Sequence, residues 1–277
     1  MVAVFGDVGM SDLMHMLQFA ADLNGLASLG SRPAMDNLIV FSIFLLAGMV
    51  KGIVGLGLPT ISMALLALFM PPAEAAALLI IPSLVTNLWQ AGPVHSLIPL
   101  LKRIGGMQAG VAAGTLAGAA LFGAPAGAWA SIALGVALVG YAAWGFLGKP
   151  LHVAKDGEKW WGPGAGALTG VVTAATGVFV IPAVPYLQAL ALQRDELVQA
   201  MGVSFTVSTV ALAVGLWGND SYSVAEAGTS VLLLLPALAG MGAGQRLRRM
   251  LQPVVFRRCL LASLAALGSY QVLEHVI

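Results

Sequence analysis

The chain has 277 residues, of which 59% are hydrophobic and 9% charged, with a net charge of +1 and a mean hydropathy of +0.92. Average soluble chains carry about 25% charged residues, so the composition excludes an ordinary soluble domain and indicates an all-α polytopic membrane protein. The single cysteine, Cys259, excludes an internal disulfide, and nothing in the charge balance points to nucleic acid as a partner.

Residues 1–37 carry Asp7, Asp12, Asp22 and Asp36 against one Arg32, and lack the basic n-region and small-residue cleavage site of a signal peptide. Ser11 suits a helix cap, and Leu13, Met16, Leu17, Ala20 and Leu23 share a face beyond it. An amphipathic helix lying at the membrane surface is expected in this extracytoplasmic segment. The stretch from Leu38 to Met70 is apolar but too long for one crossing of about 20 residues. Its middle holds Gly48, Lys51, Gly52, Gly55, Gly57 and Pro59. Glycine weakens a helix by about 1 kcal/mol relative to alanine and an internal proline by about 3, which predicts two half-helices meeting at irregular backbone. Such backbone survives in hydrocarbon only where protein buries it or a cavity adjoins it.

Further apolar runs fall at 75–92, 105–122, 127–147, 163–192, 197–217, 225–243 and 254–273. The run 163–192 is again too long for one span, and is broken by Gly164, Gly166, Gly170, Gly177, Pro182 and Pro185. The two broken runs align, with Gly48 and Gly52 on Gly166 and Gly170; downstream, Ser83 falls on Ser204 and Asn87 on Ser208. Two copies of one plan are therefore expected: repeat 1 over 38–147, a cytoplasmic linker over 148–162, and repeat 2 over 163–277.

Basic residues mark cytoplasmic loops. They cluster at Lys102 and Arg103, at Lys149, Lys155 and Lys159, and at Arg246, Arg248, Arg249, Arg257 and Arg258. All three clusters share a side if each broken run is a hairpin, re-entrant or a pair of short spans, followed by three full spans. That odd count inverts the second half, a plan of secondary transporters. Counting each broken run as one crossing gives parallel halves instead, and puts the third cluster outside.

Pro59 suits the first turn of a helix, so a half-helix is expected over 59–70 with its N-terminus, an anion-attracting end, in the break. Thr176 and Gly177 open the corresponding stretch toward Pro182 and would present the same feature from the opposite side. Around these breaks lie Thr60, Thr173 and Thr176, and on the following spans Ser83, Thr86, Asn87 and Gln90, one helix face, with Thr206 and the pair Ser204 and Ser208 in the other half. Two readings of Lys51 stand side by side, an anion ligand or a snorkelling surface lysine. Gly110, Gly114 and Gly118 form a small-residue ridge suited to helix packing. His95 and His152 read as loop residues, and the six tryptophans as interfacial anchors. No nucleotide-binding, nucleophile-elbow, metal or paired-carboxylate motif occurs, so neither catalytic residues nor a cofactor are expected.

Residues 51–90, KGIVGLGLPTISMALLALFMPPAEAAALLIIPSLVTNLWQ, resemble the signature of the TauE/SafE sulfite exporter family, a four-TMS anion transporter family, and the resemblance extends over about 38–275. The second glycine block lacks the G-x-G spacing of Gly55 and Gly57. The resemblance implies a multi-pass protein of the bacterial inner membrane that moves sulfite, sulfoacetate or related organosulfonates, commonly outward, with proton coupling expected at the family level. By motif it places Lys51, Gly52, Gly55, Gly57, Pro59, Thr60, Asn87 and Gln90 at the substrate; Ser83, Thr173, Thr176, Gly177, Ser204 and Ser208 join them from the reading of the breaks. Together with the resemblance, which implies export, the residues point to a secondary transporter for a small anion working by alternating access, with an uptake permease or channel as the alternative. They leave the oligomeric state open.

Overall fold

The computed structural model describes residues 34–92, 94–148, 151–248, 250 and 253–277; the expected N-terminal interfacial helix lies outside them. Every regular element among the described residues is a helix: α1 (Ala34–Val54), α2 (Leu58–Leu66), α3 (Pro72–Ala91), α4 (Val94–Phe122), α5 (Gly127–Leu147), α6 (Lys155–Thr176), α7 (Ala183–Ala189), α8 (Arg194–Gly218), α9 (Val224–Leu247) and α10 (Pro253–Val276). Of these, α1, α3, α4, α5, α8, α9 and α10 are long and apolar enough to cross a membrane. The protein is an all-α membrane protein.

Glycine spacing sets the main helix pairs. A Cβ added at Gly48 or Gly52 would come within 2.1 or 2.3 Å of the carbonyl oxygens of Ala237 and Met241, and one added at Gly240 or Gly244 within 2.0 or 2.1 Å of those of Leu45 and Met49. Only hydrogen fits at these four positions, so α1 and α9 meet backbone to backbone. Contacts advance in the same direction along both chains, and the helices run parallel. The identical arrangement joins α6 to α4: Gly166 and Gly170 abut the carbonyls of Met107 and Val111, while Gly110 and Gly114 abut those of Pro163 and Ala167. The Gly110 ridge is thus a packing surface, as its spacing suggests.

The remaining pairs fix directions. Gln90 Nε2 donates to the Val198 carbonyl at 3.2 Å, Gln199 Nε2 to that of Ala91 at 2.7 Å, and Asn87 Nδ2 to Thr209 Oγ1 at 3.3 Å, so α3 and α8 are antiparallel. Gly135 faces Gly268 and Gly145 faces Leu261, which makes α5 antiparallel to α10. Ser204 bonds Gln108, and Asn219 bonds the Ala119 carbonyl, so α8 parallels α4. With a short turn at 123–126 between α4 and α5 and only a few residues between α9 and α10, helices α4, α6, α8 and α10 run one way and α1, α3, α5 and α9 the other.

Since α1 and α3 share a direction, residues 55–71 must carry the chain back to the side it came from, and residues 177–193 do the same between α6 and α8. Each broken run is a hairpin, and the single-crossing count does not hold. The halves of the first are unequal: α1 has 21 residues and α2 nine, because Gly55 (φ 81°) and Gly57 (φ 118°) hold backbone conformations that L side chains rarely adopt and confine the break to three residues. Gly57 caps α2, Pro59 sits in its first turn, and the helix stops at Leu66 rather than at residue 70, where 67–70 form a turn. In the second hairpin Gly177 (φ 67°) caps α6 and donates to the Thr173 carbonyl.

Two expectations shift. Helix α4 begins at Val94 rather than 105, so Lys102 and Arg103 lie on a helix and His95 falls in its first turn instead of in a loop. Helix α6 begins at Lys155, so the second part of the expected linker 148–162 is helical; His152 remains in the loop. A membrane helix continues past hydrocarbon into the headgroup region, where charged side chains no longer oppose it. Pro82, inside α3, has no N–H to offer the Leu78 carbonyl. Ser230 of α9 supplies that bond at 2.7 Å and accepts from the Ile81 N–H at 3.1 Å.

Candidate functional site

Helix α1 ends in a buried lysine. Lys51 is 4% exposed and is the one charged side chain buried among the described residues. Its amine donates to Asn87 Oδ1 on α3, and no carboxylate among the described residues lies within ion-pair distance. Asn87 passes the chain on to Thr209, whose hydroxyl donates to the Phe205 carbonyl at 2.7 Å. The lysine therefore does not snorkel: it is held inward by α3 and α8. A buried ammonium with one neutral acceptor is unfavourable unless an anion completes its surroundings.

The register of α3 against α8 brings Ser83 level with Ser208, and Asn87 level with Ser204. The first two hydroxyls, buried at 0% and 1% exposure, have no hydrogen-bond partner; nor do Thr60 Oγ1 and Ser62 Oγ on α2 or Gln108 Nε2 on α4. Buried polar atoms are paired in the great majority of cases, so these unpartnered donors on α2, α3, α4 and α8 are groups that a polar ligand would satisfy. Ser204 spends its hydroxyl on Gln108 Oε1 at 3.2 Å.

Helix α2 approaches from the break. Leu58 through Ala64 are buried, so its N-terminus begins inside the protein, with Thr60 in the first turn. A Cβ at Gly177 would lie 3.0 Å from the Met63 sulfur, so the second break meets the first hairpin at α2. Not every expected residue turns toward this region. Gly52 lies at the α1–α9 crossing, Gly55 and Gly57 shape the break, and Pro59 starts α2. Gln90 ties the end of α3 to α8 through Val198. Thr173 donates to the Thr169 carbonyl at 2.8 Å and Thr176 to that of Val172 at 2.6 Å, while Thr176 also accepts from the Val178 N–H. Their hydroxyls are engaged by backbone. Helix α7, with seven residues from Ala183, is too short to offer a second N-terminal site.

A profile of the family described as Sulfite exporter TauE/SafE matches residues 40–270. The chain belongs to the TauE/SafE family. No curated protein and no solved structure matches it. Membership makes it a membrane protein of an anion-exporter family, and the seven apolar helices agree.

Some residues of this TauE/SafE chain matter to the site without having been singled out in the sequence. Gln108 and Thr209 connect Ser204 and Asn87 to the rest of the bundle; Gln108 is one polar residue in an apolar run and Thr209 one of several hydroxyl residues in its stretch, and only the packing reveals their roles. Gln271 of α10 donates to the Ala64 carbonyl of α2 at 3.3 Å. That carbonyl lies in the last turn of α2, where intrahelical donors run out, so Gln271 fixes the far end of the short helix. The second hairpin is fixed differently. Arg103 donates to both Glu158 oxygens at 2.9 and 2.5 Å and to the Leu190 carbonyl, just past α7, at 2.8 Å. That guanidinium holds the Glu158 carboxyl, in the first turn of α6, below its usual range.

Proposed function

We propose that the chain is a secondary transporter that exports a small sulfur-containing anion, such as sulfite, sulfoacetate or a related organosulfonate, by alternating access around its two hairpins. One observation carries the proposal: Lys51 is buried without a carboxylate, and hydroxyls on α2, α3 and α8 are buried without partners. Family membership supports sulfur as the substrate's element. The substrate residues in this reading are Lys51, Asn87, Ser83, Ser208 and Thr60, with Ser204 beside them. Gly52, Gly55, Gly57, Pro59, Gln90, Thr173, Thr176 and Gly177 shape the hairpins that present them.

The topology fits. Helices that correspond between the halves, α3 with α8 and α5 with α10, pack antiparallel, as halves related by a two-fold axis in the membrane plane do. Lys102, Arg103, Lys155, Lys159, Arg194, Arg246, Arg248, Arg257 and Arg258 all lie toward one end of the bundle, and Glu74, Asp220 and Glu226 toward the other. The basic end is the cytoplasmic one under the positive-inside rule of a bacterial inner membrane. Among the described residues no acidic side chain is buried, so the driving force proposed is the membrane potential, which assists anion exit by about 2.3 kcal/mol per charge per 100 mV.

Reconstituted into proteoliposomes, the protein should show saturable counterflow of sulfite or an organosulfonate. Non-saturating conductance would make it a channel, and no flux of any anion would overturn the reading.

A further inference from the structure

On the anion-transport reading, we propose that this site selects singly charged oxyanions, hydrogensulfite or a monosulfonate, over doubly charged ones such as sulfate and sulfoacetate, because Lys51 is the one buried cation among the described residues. The repeat that relates Gly48 and Gly52 to Gly166 and Gly170 also relates residue 51 to residue 169, an offset of 118 in each case. At 169 the second half has a threonine, fully buried, whose hydroxyl donates to the Ala165 carbonyl at 2.7 Å. The two hairpins pack by one rule, yet only the first carries a cation.

Among the described residues no other cation is free to serve. Arg103 is taken by Glu158 and the Leu190 carbonyl. The remaining described lysines and arginines are exposed near the basic end of the bundle. The groups on offer are neutral: Asn87 bonds the Lys51 amine, and the unpartnered donors on α2, α3, α8 and α4 are the hydroxyls of Thr60, Ser83 and Ser208 and the Gln108 amide. Neutral donors satisfy oxyanion lone pairs and thereby accept a range of tetrahedral or pyramidal oxygens. They do not neutralise a second formal charge, and a buried charge without a counter-charge is strongly disfavoured. Exclusion of the doubly charged form is thus built in by what the site lacks, the usual way a site rejects a close analogue. Lys51 supplies affinity, and the neutral hydroxyls set the charge limit.

The test uses the full-length protein in detergent at fixed pH and ionic strength, titrated calorimetrically with methanesulfonate and with sulfate, tetrahedral ions that differ by one charge, and with neutral dimethyl sulfone. Methanesulfonate should bind about tenfold or more tightly than sulfate, and dimethyl sulfone should not bind measurably. Thr169→Lys, which adds the second cation, should narrow or reverse that ratio. Should this variant not fold, the ratio in the unmodified protein and the loss of methanesulfonate binding in Lys51→Gln still decide. Sulfate binding as tightly as methanesulfonate would overturn the charge selection and leave anion transport standing. Binding of neither anion would overturn both.

Discussion

Lys51→Met is the sharpest perturbation, because it exchanges the buried amine for an apolar group of nearly the same length and separates two effects of opposite sign. For the fold, it removes a buried amine that has no carboxylate partner, which is a gain. It also leaves Asn87 Oδ1 without its donor, a loss of about 1–3 kcal/mol for an unsatisfied buried acceptor. These nearly cancel, so the melting temperature should move by only a few degrees. For the ligand there is no cancellation. A unit charge about 4 Å from an anion, at an effective dielectric of about 20, contributes about 4 kcal/mol, or about a thousandfold in Kd. Thermal unfolding of the detergent-solubilised variant should therefore look close to unmodified protein, while calorimetric binding and proteoliposome flux of the same preparation fall below detection. A folded Lys51→Met variant that binds and transports within threefold of unmodified protein would refute the placement of the anion at this residue.

Two other outcomes follow from the packing. Gly166→Val should destabilise the protein by about 1–3 kcal/mol or more by forcing α6 from α4, because even a Cβ there would lie 2.1 Å from the Met107 carbonyl oxygen; Gly105→Ala, which meets nothing within 4 Å, should be neutral or slightly stabilising in the same melting experiment. Glu158 titrates below its usual range, chiefly because Arg103 hydrogen-bonds it, so its contribution to stability is complete above the ordinary carboxylate pKa and fades as pH falls through its own lower value. Arg103→Gln should abolish that acid-limb dependence at a cost near neutral pH of about 1 kcal/mol, read from melting curves against pH.

The first break was legible because its residues act locally: Gly55, Gly57 and Pro59 bend or start a helix wherever they occur, and α2 begins within one residue of the expected position. The polar face of α3 was legible by periodicity, and Asn87 does meet Lys51. What escaped depends on neighbours. Nothing about Gln108, Thr209 or Gln271 in isolation distinguishes a polar residue that completes a site from one that ties two helices, and the difference arises only when α4, α8 and α10 come together. Gly52 shows the converse. The family motif implied a substrate contact for it, yet neighbours on a helix point about 100° apart, so the residue next to an inward lysine faces the α9 backbone. The early start of α4 was hidden because Lys102 and Arg103 mark a cytoplasmic loop by charge, whereas the helix runs through them.

The same symmetry that organises the packing locates where the halves must differ in energy. Extending the repeat offsets, 118 between α1 and α6 and 130 between α4 and α9, relates Glu158 to Val40 and Arg103 to Leu233. The ion pair that holds the second hairpin at the basic end thus has an apolar counterpart at the other, where Val40 and Leu233 are both buried. An apolar contact responds little to salt, whereas a partly exposed ion pair weakens with ionic strength and with the loss of either charge. If the two hairpins were chemically equivalent, conformations open to either side would be related by the two-fold axis and equally populated. They are not equivalent, since Lys51 belongs to one and the Arg103–Glu158 pair to the other. On the alternating-access reading proposed above, the preference for one orientation would rest on these few side chains. Small changes at Arg103 or Glu158 would then shift that preference without touching the residues around Lys51.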